Sequence, residues 1–229
     1  MLKITYLVTV YNEKRTVKKA ILDVLNINYP NKEIIVIDNG STDGSQEIIR
    51  QFKGIKKILR KKNMGIGKSI TEGMKKSTGD YVFIQYSDLE YDYKKSIYMM
   101  KFARNNQLDV VLGSRLKNQK NSIIKLIIKK PAYMATLICT FLINKFYNHK
   151  FTDIIGAKLY KRSTVKKIKT NSYNNGFDFE FMSRLCKKKY KIGEVSIKYK
   201  PRANSREKKI KFYHMFIALF EIFKVKIFN

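Results

Sequence analysis

The amino-acid sequence predicts an α/β fold in which helices cover both faces of a mainly parallel central sheet. Through the first 115 residues, short apolar segments rich in Ile and Val alternate with segments of helical period. This alternation is typical of repeated βαβ units. Polar clusters (TVYNE, DNGSTDGS, SDLEYD and GSR) directly follow predicted strands. Because open α/β sheets bind ligands at the carboxyl ends of their strands, these clusters predict a single active site.

The strands are predicted from short apolar runs that contain β-branched residues. Runs of this kind, bounded by turn or polar residues, indicate strands buried on both faces of a sheet. EIIVID and YVFIQY are the clearest of them. In chain order, the predicted strands are residues 4–10, 33–38, 56–59, 81–86, 110–114 and 194–199.

The helices are predicted from apolar residues that recur every three or four positions. In the first helix, Val17, Ile21, Val24 and Leu25 share one face. In chain order, the predicted helices are residues 13–26, 45–52, 66–77, 96–106 and 178–189.

Two later segments, residues 123–146 and 210–227, are apolar and aromatic but are interrupted by lysines. The uncharged centre of the first is shorter than the ~20 residues of a membrane span. We therefore expect an amphipathic interfacial region at 123–148 and an amphipathic C-terminal segment at 210–229 that lie on a membrane surface. Residues 1–209 are expected to form the main domain.

The net charge predicts an anionic partner. The 229 residues include 48 Lys and Arg against 18 Asp and Glu, a formal charge of +30. Residues 116–229 hold 27 of the basic residues and 6 of the acidic ones, beside the apolar segments. This placement favours a membrane surface and phosphate-bearing substrates over a nucleic acid. Two cysteines exclude a disulfide framework and favour the cytoplasm, and the N-terminus reads as a strand rather than a signal peptide.

An acidic cluster predicts a divalent metal. Asp88, Glu90 and Asp92 follow the predicted strand 81–86. Carboxylates placed just beyond a strand end can share Mg²⁺ or Mn²⁺, and such an ion would neutralise a diphosphate. The competing interpretation is a solvated acidic loop, which we disfavour in so basic a chain.

Two polar turns are candidates for contacts with a nucleotide. Asp38 and Asn39 begin the turn DNGSTDGS and can contact a base or ribose, although a plain turn before a capped helix is the competing interpretation. The segment NMGIGK (63–68) opens a helix whose backbone N–H groups can face a ligand. It lacks the spacing of a phosphate-binding P-loop.

Two further features bear on the acceptor. Arg115 ends a predicted buried strand at the ligand edge of the sheet, where a guanidinium suits phosphate. Asp178 and Glu180 lie near a helix start. Either could be a general base toward a hydroxyl, or could only stabilise the N-terminus of the helix through its negative charge. His149 and His214 are assigned no role.

Eight motifs stand in a particular order along the chain. They are VYNE (10–13), IDNGSTDGS (37–45), NMGIGKS (63–69), GDYVFIQYSDLEYD (79–92), VVLGSR (110–115), TDIIGAKLYKR (152–162), GFDFEF (176–181) and EVSIKYKPR (194–202). Together they resemble the family 2 glycosyltransferases of the GT-A fold. The resemblance is strongest to the branch like dolichol-phosphate mannosyltransferase and polyprenyl-phosphate glucosyltransferase.

The resemblance implies a GT-A catalytic domain that uses a nucleotide-diphosphate sugar and Mg²⁺ or Mn²⁺, with Asp88 and Glu90 as metal ligands. The nucleotide-sugar contacts that it implies are Tyr11, Glu13, Asp38, Asn39, Gly65, Lys68 and Ser87. The catalytic positions that it implies are Asp88, Arg115 and Glu180. The acceptor-phosphate contacts that it implies are Arg115, Arg202, Lys208 and Lys209.

The chain departs from the family pattern at two positions in the site. Tyr86 stands where the DAD motif usually begins with Asp, so metal binding rests on Asp88 and Glu90. Asn39 replaces the second aspartate of the DDGS motif, which weakens any inference about uracil or guanine.

The predicted reaction moves a hexose, with inversion, from a GDP-mannose- or UDP-glucose-type donor to polyprenyl or dolichyl phosphate. The enzyme is expected to be peripheral on the cytosolic face of a membrane. A phosphate acceptor is already anionic, so positioning and electrostatics suffice and no general base is needed.

Three alternatives stay open. In the first, the acceptor is a hydroxyl of a glycan or glycolipid, which would require Asp178 or Glu180 as the base. In the second, the chain is an inactive family member that serves as a binding subunit because of Tyr86. A basic nucleic-acid-binding protein is a distant alternative, because no RRM, KH or zinc-finger pattern is present.

Overall fold

The computed structural model describes residues 1–117, 132–200 and 214–228. Its strands are Ile4–Val10 (β1), Lys32–Asp38 (β2), Lys56–Leu59 (β3), Tyr81–Tyr86 (β4), Val110–Ser114 (β5), Ala157–Lys161 (β6) and Ile192–Ser196 (β7). Its helices are Val17–Leu25 (α1), Ser45–Gln51 (α2), Ile66–Lys76 (α3), Lys95–Asn105 (α4), Ala132–Tyr147 (α5), Arg162–Val165 (α6), Phe177–Lys187 (α7) and His214–Phe228 (α8).

Within the described residues, the strands form one sheet in the order β3-β2-β1-β4-β6-β5-β7. β1 runs parallel to β2 and β4, β2 to β3, and β5 to β7. β6 is antiparallel to both of its neighbours, β4 and β5. The mainly parallel sheet is confirmed, whereas β6 and α6 were not predicted.

Helices cover both faces of the sheet, as predicted. Leu7 of β1 faces a core that includes residues of α3, α5, α7 and α8. Its neighbours Tyr6 and Val8 point the other way, into a core with α1, α2 and α4. This alternation follows from the two-residue period of a strand. Each fully buried Leu or Ile in these cores contributes about 1.5–3 kcal/mol.

α5 and α8 pack together beside α7 and bury part of their surface. Cys139 of α5 and Ala218 and Ile222 of α8 belong to the core. Both helices also expose apolar side chains, namely Met134, Ile138, Phe141, Phe216, Ile217, Phe220, Phe223, Ile227 and Phe228. No helix in the described residues is long and apolar enough to cross a bilayer. Residues 123–131, 210–213 and 229 of the predicted interfacial segments lie outside the described residues.

Candidate active site

A cavity of about 740 Å³ opens at the carboxyl ends of β1, β4 and β5. It lies where the alternation of strands and polar clusters predicts a site. The predicted residues that line it are Tyr11, Glu13, Asn39, Gly65, Ser87, Asp88, Glu90, Arg115 and Asp178. Asp38, Lys68 and Glu180 are not in its lining. Arg202, Lys208 and Lys209 lie outside the described residues.

Asp38 is a buried support of the turn after β2. Its Oδ1 accepts hydrogen bonds from the backbone N–H groups of Gly40 (3.0 Å) and Ser41 (2.9 Å) and from Gln46 Nε2 (2.6 Å). Gly40 has φ +79°, a conformation that glycine adopts without strain. Asp38 therefore shapes the turn, and its predicted contact with the nucleotide stays a prediction.

Asn39 joins this turn to the loop before α3. Its Oδ1 accepts hydrogen bonds from Arg60 Nη1 (2.9 Å) and from the backbone N–H of Met64 (3.1 Å). Its Nδ2 donates to Asn63 Oδ1 (2.7 Å). The two polar turns that the sequence singled out are thus one hydrogen-bonded unit at the cavity edge.

Gly65 brings the start of α3 against the loop before α7. It has φ +86°, and a Cβ built on it would lie 2.1 Å from the carbonyl oxygen of Tyr173. That carbonyl accepts a hydrogen bond from the backbone N–H of Gly67 (2.9 Å). Lys68 Nζ lies 5.0 Å from the centre of the Tyr173 ring. A glycine at position 65 is therefore needed for this close approach.

Asp88 and Glu90, two of the three carboxylates of the acidic cluster, lie in the same cavity wall, and Asp92 is not in its lining. Asp88 Oδ1 accepts a hydrogen bond from the backbone N–H of Glu90 (3.2 Å), and Glu90 Oε2 accepts one from Tyr199 Oη (2.9 Å). In the described part of the chain, no group of three or more His, Cys, Asp or Glu side chains could hold a metal. Mg²⁺ commonly binds one or two carboxylates and takes its remaining ligands from substrate phosphates and water. Two cavity carboxylates fit such a shared site.

Tyr86, which replaces the usual aspartate, also lines the cavity. Burial of its phenol raises the pKa of Tyr86 well above the ordinary value of 10. The side chain is therefore neutral at physiological pH and does not supply the charge of the missing carboxylate.

Arg115 is buried in the cavity wall and paired with Asp153. Its Nε and Nη2 donate to the two carboxylate oxygens at 2.7 Å and 2.9 Å, and its backbone N–H donates at 3.0 Å. Burial alone would raise the pKa of Asp153, but the Arg115 charge and hydrogen bonds outweigh it and lower that pKa. The rings of Tyr133 and Tyr199 lie 4.8 Å and 5.4 Å from the guanidinium carbon. An acceptor phosphate would have to compete with Asp153.

The structure separates the two carboxylates near the start of α7. Glu180 is fully buried, and Oε2 accepts backbone hydrogen bonds from Asn171 (3.0 Å) and Ser172 (2.8 Å). Its Oε1 accepts from Arg184 Nε (2.8 Å). Glu180 thus holds the preceding loop and does not face the cavity, which corrects its predicted placement in the site. Asp178 lines the cavity instead.

Several residues near the cavity were given no role by sequence reasoning. They are Tyr91, Tyr133, Asp153, Lys158, Tyr199 and His214. Asp153 and Lys158 fall within the motif TDIIGAKLYKR, so the motif was a usable signal. Tyr91 and Tyr199 likewise fall within the motifs GDYVFIQYSDLEYD and EVSIKYKPR. Tyr133 and His214 lie outside all eight motifs, and their sequence spacing gives no signal.

The fold is the GT-A fold of solved glycosyltransferases. Glucosyl-3-phosphoglycerate synthase from Mycobacterium tuberculosis, solved with Mn²⁺, UDP and phosphoglyceric acid, is similar with a TM-score of 0.73 and 13% identity, over 100% of this chain and 80% of that chain. A second similar structure is that of a mannosyltransferase from Pyrobaculum calidifontis, solved with GDP-Man and Mn²⁺. Its TM-score is 0.63 at 13% identity, and the match covers 100% of this chain and 71% of that chain.

The particular family follows from the sequence comparison. Glycosyl transferase family 2 matches residues 5–169, and the chain belongs to that family. The poly-β-1,6-N-acetyl-D-glucosamine synthase of Staphylococcus epidermidis is 30% identical over 207 residues, which cover 87% of this chain and 48% of the relative. The same synthase of Staphylococcus aureus (strain COL) is 31% identical over 125 residues, 53% of this chain and 30% of the relative.

The match to the Staphylococcus epidermidis synthase covers most of this chain. The chain itself spans only about half the length of that relative. These relatives are named as synthases of a polysaccharide. They do not confirm the dolichol-phosphate mannosyltransferase branch that the motifs favoured.

Proposed function

We propose that this glycosyltransferase moves a sugar, with inversion, from a nucleotide-diphosphate donor to a hydroxyl of a glycan or glycolipid. The observation that carries the proposal is the position of Asp178, a carboxylate that lines the cavity together with Asp88 and Glu90. A hydroxyl acceptor needs a base within reach of its proton, whereas a phosphate acceptor does not. The similarity to poly-β-1,6-N-acetyl-D-glucosamine synthases supports the same acceptor class.

The donor is proposed to lie along the edge formed by β1, β2 and β4. Tyr11, Glu13 and Asn39 would contact its nucleoside, with Gly65 and Ser87 beside it. Asp88 and Glu90 would hold Mg²⁺ or Mn²⁺ against the diphosphate. When bound, that ion would supply positive charge to the leaving group.

The proposed step is a direct displacement at the anomeric carbon. The acceptor oxygen forms the new glycosidic bond as the bond from the anomeric carbon to the diphosphate oxygen breaks. The acceptor proton passes to the carboxylate of Asp178, and the nucleoside diphosphate departs with the electron pair. Holding both substrates in line in one cavity supplies much of the acceleration.

The contacts of Arg115 favour a hydroxyl acceptor over a polyprenyl phosphate. Asp153 occupies Nε and Nη2 of the guanidinium, and the pair is buried. Because the pair has no net charge, it attracts an anionic acceptor less than a single arginine would. Arg115 is instead proposed to support the cavity wall together with Tyr133 and Tyr199.

We also propose that the exposed apolar faces of α5 and α8 rest on a membrane surface. Phe141, Phe220 and Phe228 are each more than 60% exposed, and Lys224 and Lys226 accompany them. Apolar and aromatic side chains beside lysines suit the interface of an anionic bilayer. Since α5 and α8 also line the cavity, an acceptor attached to a lipid would reach the site along this surface.

A panel assay tests the proposed reaction. UDP-N-acetylglucosamine, UDP-glucose and GDP-mannose are each incubated with Mn²⁺ and with either an N-acetylglucosamine oligosaccharide or a short polyprenyl phosphate. We expect an elongated oligosaccharide, and a loss of at least about 100-fold in kcat for Asp178→Asn, in line with the contribution of a general base. Asp23→Asn, the same substitution on the surface of α1, is the control. A product with polyprenyl phosphate alone, unaffected by Asp178→Asn, would overturn the proposal.

Co-sedimentation with vesicles tests the membrane surface. Deletion of α8 would disturb the core, because Ala218 and Ile222 are buried. The variant Phe220→Ser/Phe228→Ser removes exposed rings only. We expect it to bind vesicles of phosphatidylcholine and phosphatidylglycerol more weakly than the unaltered chain. Equal binding of both proteins refutes this part of the proposal.

A further inference from the structure

Lys158 is a buried lysine in the centre of the sheet, directly beneath the cavity. It is 1% exposed. It lies on β6, in register with Ile84 of β4 on one side and Leu112 of β5 on the other. Lysine is almost never fully buried unless it is paired. A charge kept at this position therefore requires a specific partner.

That partner is Asp178. Lys158 Nζ lies 3.1 Å from Asp178 Oδ1, and it also donates a hydrogen bond to the carbonyl oxygen of Ile155 at 3.3 Å. Asp178 Oδ1 is shielded from solvent and accepts no hydrogen bond within the described residues, so its contact with Lys158 is an ion pair; the side chain as a whole is 22% exposed. The exposed part of the side chain therefore lies on the side of the cavity, which Asp178 lines. The carboxylate bridges the interior cation and the open site.

We infer that Lys158 is a positioning residue for the transfer reaction, which holds the Asp178 carboxylate in the orientation that accepts the acceptor proton. The inference rests on the proposed role of Asp178. The ion pair at 3.1 Å restricts the rotation of the Asp178 side chain. Holding one oxygen against Lys158 also leaves the other oxygen directed to the substrate.

The remaining charged groups near Asp178 do not replace this contact. On α7, Glu180 is paired with Arg184 at 2.8 Å, and on α8, Glu221 is paired with Lys224 at 2.7 Å. Tyr86 and Tyr160 interact electrostatically with Asp178. Burial raises the pKa of both tyrosines, so their phenols are neutral. The cation Arg115 in the same cavity wall is paired with Asp153. The other titratable groups that line the cavity are Tyr11, Glu13, Asp88, Glu90, Tyr91, Tyr133, Cys139, Tyr199 and His214. Lys158 is therefore the cation that bears on the Asp178 carboxylate in the described residues.

Two variants of Lys158 test the inference. Lys158→Gln removes the charge and retains a hydrogen-bond donor, and Lys158→Arg retains the charge. The kcat and the KM for the donor are measured for both variants, and Lys158→Gln is also combined with Asp178→Asn. We expect Lys158→Gln to lower kcat with an unchanged KM for the donor, Lys158→Arg to retain most of the rate, and Lys158→Gln to cause no further loss in Asp178→Asn. An unchanged kcat in Lys158→Gln overturns the inference, and Lys158→Met takes the place of Lys158→Gln if the buried amide prevents folding.

These measurements use the donor and acceptor found by the panel. A merely structural role of Lys158 would lower kcat by the same factor with and without the Asp178 carboxylate, and that result overturns the inference. Full activity of Asp178→Asn overturns the proposed function instead.

Discussion

Replacing Asp153 with Asn removes the charge that neutralises Arg115 in the cavity wall. Asp153 is fully buried, and its oxygens accept hydrogen bonds from Arg115 N, Nε and Nη2 and from the backbone N–H of Ile155 at 2.7–3.0 Å. An asparagine of the same shape keeps one acceptor oxygen and turns an NH₂ group toward these donors. The guanidinium then remains buried without a counter-charge.

The expected cost follows from the burial of both partners. Breaking a buried ion pair by removing one member destabilises a protein by about 3–5 kcal/mol. For a chain of this size, each kcal/mol lowers the melting temperature by about 2–4 °C. Asp153→Asn should therefore melt roughly 6–20 °C below the unaltered chain, measured by circular dichroism. It should also gain stability from inorganic phosphate, because the guanidinium becomes available to an anion.

Asp23→Asn is the matched control for this prediction. Asp23 pairs with Lys19, whose side chain is 65% exposed. Exposed pairs one helical turn apart contribute about 0.3–0.5 kcal/mol. Melting of Asp153→Asn within 2 °C of this control, with no response to phosphate, would refute the assignment of Arg115 to Asp153. It would restore Arg115 as a candidate ligand for an acceptor phosphate.

Two further predictions concern the turn at the donor edge and acid stability. Gly65→Ala should weaken UDP binding at least about tenfold by calorimetry, because its Cβ would lie 2.1 Å from the Tyr173 carbonyl oxygen. Gly54→Ala, at φ +71° with open space around it, should cost about 1 kcal/mol of stability and leave binding unchanged. Burial would raise the pKa of Glu33, but hydrogen bonds, Lys56 foremost, outweigh it and lower that pKa from 4.5 to about 2. The stabilisation is thus full above pH 4.5 and is lost as pH falls toward 2. Acid denaturation measures how much unfolding free energy the protein loses as the pH falls from 4.5 toward 2. Glu33→Gln should reduce this loss by about 1–2 kcal/mol, a value lowered for solvent screening at the exposed Lys56.

Each of these predictions has a clear contrary outcome. Equal affinity for UDP in Gly65→Ala and the unaltered chain would show that the loop at Tyr173 yields without affecting the donor. An acid-denaturation curve of Glu33→Gln parallel to that of the unaltered chain would show that Glu33 titrates normally in the folded state.

The regular elements of the first half were readable from the sequence because their patterns are local. The predicted bounds of β1, β3, β4 and β5 agree with the structure, and the helices differ by a few residues at their ends. β6 was missed because AKLYK places a lysine where a central strand normally has an apolar residue. That lysine is tolerated because Asp178, 20 positions later, pairs with it. Pairing across the fold thus overrode a local polarity signal.

The sequence by itself determined every strand of the described sheet except β6, the order of the polar clusters and the resemblance to family 2 glycosyltransferases. It did so because strand and helix periods, turn glycines and motif order are properties of neighbouring residues. The tertiary structure alone decided what each side chain does. It paired Arg115 with Asp153, directed the Glu180 side chain into the protein interior and brought Asp178 to the cavity. The free energy of a buried charge depends on partners distant in sequence, so the charge of +30 indicates an anionic partner but does not identify which cations remain available to bind it.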